Sequence, residues 1–324
     1  MWKKLIMVSI SFCLFLLLPP HKIIKAEEIV QLDPVITVTA VGDIMMGTDY
    51  PSPKLPKKDG TFLFEASKEI LRQADIVFGN LEGPLYEGGI PAKKVKEGES
   101  YVFRTPPRYV KNLADAGFNV VSLANNHAAD FGYKGMSSTK KVLDAAGIKY
   151  SSKEGEVAEF EINGLKIGLA AFSFGPPPRS IVYPEKALEE IDLLSKKYDL
   201  LILSIHGGKE GGTALRTENE FEYFLGEPRG NLIQFAHGAI ERGADLILVH
   251  GPHVPRAMEI YQDRLIAYSL GNFCTYGGMS LDKEKGYAPL LWVELGREGE
   301  FVRGCSTSIL SVVTEKGRGG VSPY

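Results

Sequence analysis

Five apolar, β-branched runs in this chain end in groups that can bind a cation or move a proton. Asp43 follows the first, Asn80 and Glu82 the second, and Asn125, Asn126 and His127 the third. His206, with Glu210 close behind it, follows the fourth, and His250 with His253 follows the fifth. Leaving His21 aside, four of the remaining five histidines belong to this set; the fifth, His237, falls mid-helix, where a surface or packing role suffices. Imidazole, carboxylate and amide oxygen together suit a divalent metal ion such as Mn, Zn or Fe. Such an ion polarises a phosphoryl or carbonyl oxygen and acidifies a bound water, the chemistry of a metal-dependent hydrolase. His127 is a candidate proton donor to a leaving group, and Asp130 is a candidate to orient its second nitrogen. Each piece alone has a plainer reading. Asp43 after a glycine suits a turn, Asn125-Asn126 a helix cap, and Glu210 a solvated charge. The recurrence at five strand ends favours a shared site, because ligands of open α/β sheets gather beyond the carboxyl ends of the strands.

Apolar periodicity supplies the elements that would carry these groups. Strands are expected over 35–41, 76–78, 118–123, 200–205 and 246–249, the first running into a turn at Gly42-Asp43. Helical spacing covers 64–73, 109–116, 133–146, 185–197 and 230–242. Asn163-Gly164, between 160–162 and 166–172, is a hairpin signal. Further strands over 257–261, 265–270, 290–295 and 301–313 follow with no helix between them. Alternating strands and helices, then strands alone, predict an α/β domain with a helix-covered central sheet and a second, antiparallel sheet. The long charged loop 83–101 is expected near function.

Composition narrows the setting. With 37 basic and 40 acidic residues the net charge is −3, which offers no basic surface for nucleic acid. Lys3 and Lys4 precede an apolar run over 5–18. As a helix, that run would reach only about 21 Å, short of a ~30 Å hydrocarbon core. A secretory signal segment over 1–26 fits better than a spanning helix, with an uncleaved anchor as the alternative. Either places the rest outside the cytoplasm, secreted or held on the outer face of the membrane. A tether over 27–34, one domain over 35–315 and a tail over 316–324 complete the plan. Cys274 and Cys305 are open to two readings there, a disulfide or two buried thiols.

Ala40-Val41-Gly42-Asp43-Ile44-Met45-Met46-Gly47 resembles the opening motif of the CapA, or poly-γ-glutamate capsule-synthesis, family. Gly79-Asn80-Leu81-Glu82, Ser122-Leu123-Ala124-Asn125-Asn126-His127 with Asp130, and His206-Gly207-Gly208-Lys209-Glu210 are similar to its following blocks. His250-Gly251-Pro252-His253 and Tyr268-Ser269-Leu270-Gly271-Asn272-Phe273 resemble the closing ones. The resemblance implies a calcineurin-like metallophosphoesterase architecture, a four-layer αββα β-sandwich flanked by helices. It implies metal-facing positions for Asp43, Glu82, Asn126, His206, His250 and His253, and an acid/base position for His127. Asn80, Asn125, Glu210 and Asn272 are then the candidate substrate-facing groups. The implied role is making, anchoring or exporting an anionic cell-surface polymer, with membrane synthase or export components as partners. Two departures stand out. Met45 occupies the place where typical metallophosphoesterases carry a histidine, and Gly208 and Gly211 replace aromatic residues. An extra segment over 212–229, rich in Glu and Phe, follows. Two functional classes remain open: a hydrolase of phosphoester or amide bonds, and a noncatalytic polymer-binding subunit.

Overall fold

Alternate residues of a strand face opposite sides of its sheet, and in this chain both sides are apolar. The computed structural model describes residues 36–93, 101–310 and 322–323. The expected leader and tether, and the expected tail apart from Ser322 and Pro323, lie outside the described residues. In chain order the strands are β1 (Ile36–Met45), β2 (Ile76–Leu81), β3 (Val120–Ser122), β4 (Lys149–Ser151), β5 (Val157–Ile162), β6 (Leu165–Ser173), β7 (Leu200–His206) and β8 (Glu222–Phe224). There follow β9 (Glu227–Gly230), β10 (Leu246–His250), β11 (Met258–Tyr261), β12 (Arg264–Ala267), β13 (Asn272–Thr275), β14 (Tyr287–Leu295), β15 (Phe301–Leu310) and β16 (Ser322–Pro323). The α-helices are α1 (Lys68–Leu71), α2 (Val110–Ala116), α3 (Gly132–Ala145), α4 (Pro184–Ser195) and α5 (Leu232–Ile240).

One large sheet runs β16-β15-β14-β1-β2-β3-β4, with β13 also paired to β1; the other runs β11-β12-β10-β7-β6-β5, and β8 and β9 form a separate two-stranded sheet. Three apolar layers hold the two large sheets. Val38 and Ala40 of β1, Phe78 of β2, Leu200 and Ile202 of β7 and Leu248 of β10 meet between the sheets. Their neighbours Val41, Ile44 and Val77 turn instead to Leu71, Leu113, Met136 and Leu143 of α1, α2 and α3. On the far side, Leu201, Leu203 and Ile205 of β7 pack on Ile191 of α4 and on Phe235 and Ala239 of α5. The result is the expected αββα sandwich. Each fully buried Leu or Ile contributes about 1.5–3 kcal/mol, which is why strands buried on both faces read as continuous apolar runs.

The structure departs from the sequence expectations at four places. The second sheet is mixed rather than antiparallel: β6, β7, β10 and β12 are parallel, with β5 and β11 antiparallel at its edges. The α4 and α5 crossovers impose this, since they return the chain to the same end of the sheet. Strand β1 continues through Gly42-Asp43 with an irregular register, where Asp43 pairs with Asn80 on one side and Asn272 on the other. A Cβ at Gly42 would collide with the Gly271 carbonyl, so only glycine admits this approach. The expected helix over 64–73 shrinks to α1; Ser67 Oγ donates to Phe64 O at 3.2 Å, a local bond that competes with helix. The expected strand 265–270 becomes β12, and β13 after Gly271 crosses to the other sheet. Cys274 is a buried free thiol and Cys305 an exposed one, so no bridge forms.

Candidate metal centre

Register brings the polar strand ends together. Across one sheet Asn272, Asp43, Asn80 and Ser122 sit side by side on β13, β1, β2 and β3. Across the other, His206 of β7 pairs with His250 of β10. All six of these residues are buried.

The Asn80 amide is the hub. Its Nδ2 donates to Asp43 Oδ1 and to Glu82 Oε2, each at 2.7 Å, and stands 3.5 Å from His206 Nδ1. Its Oδ1 accepts from Asn125 Nδ2 at 3.0 Å. The remaining Asp43 oxygen, Oδ2, faces His253 Nδ1 at 2.8 Å, and Asn272 Oδ1 lies 3.1 Å from that same nitrogen. One ligand atom each from Asp43, Glu82 and His206 lie within 4.8 Å of one another.

Burial and charge set the protonation states. For Asp43, burial alone would raise the pKa, but the His253 hydrogen bond and the charges of His253, His206 and His250 bring it to about 2. Glu82 is pushed well above the usual carboxylate range, by burial first and then by the Asp43 charge. Burial drives His206 well below the usual imidazole value and His250 to about 4. His253 moves the other way. Burial opposes its charge, yet Asp43, Glu210 and Glu82 lift it to about 10.

Neutral imidazoles and carboxyl oxygens are left without partners. Glu82 Oε1, His206 Nε2 and both nitrogens of His250 are buried and form no hydrogen bond. Each orphaned group costs roughly 1–3 kcal/mol, and a cation between them would satisfy several at once. The donor set therefore fits a divalent metal ion.

Beside this cluster opens a cleft of about 240 Å³, lined by Tyr101, Phe103, His127, Phe224 and His253 among others. His127 Nδ1 lies 2.9 Å from Asp130 Oδ2, and the Phe103 amide donates to that same oxygen at 2.7 Å. Lys93 Nζ stands 2.6 Å from Asp130 Oδ1 and 3.3 Å from His127 Nδ1. Burial lowers the His127 pKa against the pull of Asp130.

Most of the expected site residues meet, and one does not. Asn126 is the exception, its side chain exposed. Asn125 takes the inward place: its Oδ1 accepts from the His127 and Ala128 amides, and its Nδ2 reaches Asn80 and Leu81 O. That capped turn locks Asn125 inward and directs its neighbour to solvent. Met45 is fully buried and packs where a Cβ on Gly278 would strike it, so apolar packing fills the place of the histidine. His237 pairs with Glu259 and stacks on Tyr261, away from the site. Unforeseen were Lys93, Phe103, Phe224 and Arg229. Lys93 lies in the loop flagged by its length, and Phe224 and Arg229 lie in or beside the extra segment; no local pattern singles out these side chains.

A two-sheet αββα sandwich with carboxylate, amide and imidazole groups converging at its strand ends defines an α/β protein with a candidate metal centre. The chain belongs to the family described as Bacterial capsule synthesis protein PGA_cap, which matches residues 37–276. It is 30% identical over 260 residues to the PGA biosynthesis protein CapA of Bacillus subtilis (strain 168), covering 74% of this chain and 63% of that one. The Capsule biosynthesis protein CapA of Bacillus anthracis is 29% identical over 263 residues, 77% of this chain and 62% of that one. The matches thus span less than two thirds of these relatives' length. Among solved structures, the chain is similar to TT1561 of Thermus thermophilus over 84% of its own length and 98% of that chain, with a TM-score of 0.44 and 13% identity.

Proposed function

We propose that this domain acts outside the cytoplasm on an anionic cell-surface polymer of the poly-γ-glutamate kind, as a metal-dependent hydrolase in its biosynthesis, anchoring or export. The observation that carries the reading is the buried Asp43–Glu82–His206 triad with its orphaned donor atoms, set beside a cleft that His127 and His253 line. The relatives' names, PGA biosynthesis and capsule biosynthesis, supply the polymer class. The apolar run over 5–18 supports the location.

Asp43, Glu82 and His206 would hold the ion, with His250 and His253 beside them. When bound, the metal supplies Lewis acidity toward a phosphoryl or carbonyl oxygen. The chain's own residues do the rest. Asn80 fixes both carboxylates through one amide nitrogen. Asp130 ties up Nδ1 of His127, which leaves Nε2 as the atom at which a proton is held or released. Phe103, its ring centroid 4.4 Å from that of His127, walls the imidazole against water.

Turnover of γ-glutamyl oligomers and of a generic phosphodiester by metal-loaded protein tests the proposal. Activity on one of them, lost in His206→Ala and reduced about 10²-fold or more in His127→Ala, is expected. No turnover of either would overturn the hydrolase reading. Met45 motivates a second one, because it denies a second ion the histidine it would need. On that reading the domain is a noncatalytic polymer-binding subunit of a membrane complex. It predicts polymer binding and capsule formation undiminished in His127→Ala, and a drop in either would exclude it.

A further inference from the structure

Behind one wall of the cleft lies a buried cation that already grips a carboxylate. The Arg229 side chain, just beyond the cleft-lining Phe224, is only 4% exposed. Its guanidinium carbon lies 4.1 Å over the Phe174 ring and 5.3 Å over Phe224. Nη1 donates to Glu210 Oε1 at 2.7 Å, Nη2 stands 3.1 Å from Glu227 Oε2, and Nε is buried with no partner. The second Glu210 oxygen, Oε2, lies 3.8 Å from His253 Nε2. Glu210 therefore stands between the wall cation and a histidine of the metal cluster, and it lines the cleft.

The backbone on either side of Glu210 is hydrogen-bonded, Gly208 N to Arg229 O and Gly211 N to Pro252 O, each at 3.0 Å, so it is the side chain that is placed to turn. Gly208 at φ 82 and Gly211 at φ 97 flank it, and the Cβ direction of Gly211 meets no atom within 4 Å. Swinging Glu210 away by itself would leave the half-exposed Glu227 to compensate the buried guanidinium, which is unfavourable. Exchanging one carboxylate for another leaves that charge compensated. An incoming carboxylate in the place of Glu210 would take over the charge-assisted bond that Arg229 Nη1 now makes to it.

We propose that Arg229 and His253 Nε2 frame a carboxylate subsite, which Glu210 fills from within until a carboxylate of the substrate displaces it. The proposal rests on the polymer-processing reading and names the group that reading would recognise, a free carboxylate of the polymer, which in γ-linked glutamate is the α-carboxylate. Segment 212–229 then gains a purpose, because its Phe224 forms part of the cradle. The subsite lies beside the metal triad, so a chain held there by one carboxylate presents its next bond to the cluster.

Binding of ¹³C-labelled acetate and glutarate to the full chain in EDTA, followed by NMR, tests the subsite without metal or turnover. Emptying it in Glu210→Ala is expected to tighten acetate binding about ten-fold or more over the wild type. The gain should vanish in the Glu210→Ala/Arg229→Met double variant. Glu210→Gln, whose amide oxygen still meets Arg229, should bind acetate no better than the wild type. Glu210→Ser opens the subsite with a smaller structural change and should reproduce the Ala result if that variant folds poorly. Equal binding to wild type and opened variants, or binding that survives loss of Arg229, would overturn the proposal. Phosphate or acetamide binding as tightly as acetate would also overturn it, as a site without carboxylate selectivity. Because the protein is metal-free, a failed metal centre and a failed subsite give different results.

Discussion

Replacing Asn80 by Asp tests whether the strand-end cluster is built to hold a positive charge. In protein stripped of metal the Asn80 amide nitrogen serves two carboxyl groups at 2.7 Å. Asn80→Asp exchanges that shared donor for a third acid, with nothing between the three. Two like charges 4 Å apart repel by about 4 kcal/mol at an effective dielectric of 20. The new carboxyl can escape that repulsion by taking up a proton, and the cost of doing so caps the penalty. From an ordinary value near 3.9 to pH 7 that cost is about 4 kcal/mol, and at pH 5 it falls to about 1.5 kcal/mol. The variant should therefore lose about 4 kcal/mol of stability at pH 7 in EDTA and clearly less at pH 5. With excess Mn²⁺ the ordering reverses, because a third carboxylate strengthens a cation site, so metal should stabilise the variant more than the wild type. Urea unfolding at both pH values, with EDTA and with Mn²⁺, reads all four cases. A loss under about 1 kcal/mol at pH 7, or no extra stabilisation by metal, would refute the reasoning.

Three further outcomes follow from buried groups elsewhere. Arg256 bonds both oxygens of Glu222 at 3.0 Å, and the two side chains are almost wholly buried. Arg256→Met should cost about 3–5 kcal/mol in denaturant unfolding, and a loss below about 1 kcal/mol would contradict the pairing. Burial raises Asp245 to about 6 despite the Leu201 amide and Arg264. The folded state then holds that proton more tightly than the unfolded chain, so stability from this group is full below pH 3.8 and declines by about 3 kcal/mol as pH rises through 6. Asp245→Asn should remove that decline, and an unchanged slope of stability against pH between 4 and 6 would count against it. Ile202→Ala, in the layer between the sheets, should cost about 2–5 kcal/mol; a near-neutral result by denaturant unfolding would be inconsistent with a closed sandwich.

Much of this architecture is legible in the sequence because buried strands have no polar face to disguise them. The runs that form β7 and β10 end at His206 and His250, so the meeting of those groups follows from the strand ends without knowledge of register. What stays hidden depends on contacts distant in sequence. Gly42 reads as a turn because its real reason, the approach of Gly271, lies more than two hundred residues away. Asn125 and Asn126 are adjacent amides, and only the capped turn decides which one faces Asn80. The parallel core of the second sheet escapes a sequence reading because a continuous apolar run carries no strand direction. Arg229 carries no signal at all, since its partners come from Phe174, Glu210 and Phe224 on three separate segments.

The most direct measurement is the divalent metal content of the purified full chain, by elemental analysis after saturation with Mn²⁺ or Zn²⁺ and desalting. Roughly one tightly held ion per chain is expected in the wild type, with His206→Ala retaining little or none. A wild-type protein that emerges metal-free, with no calorimetric heat on titration with either ion, would contradict the metal centre outright.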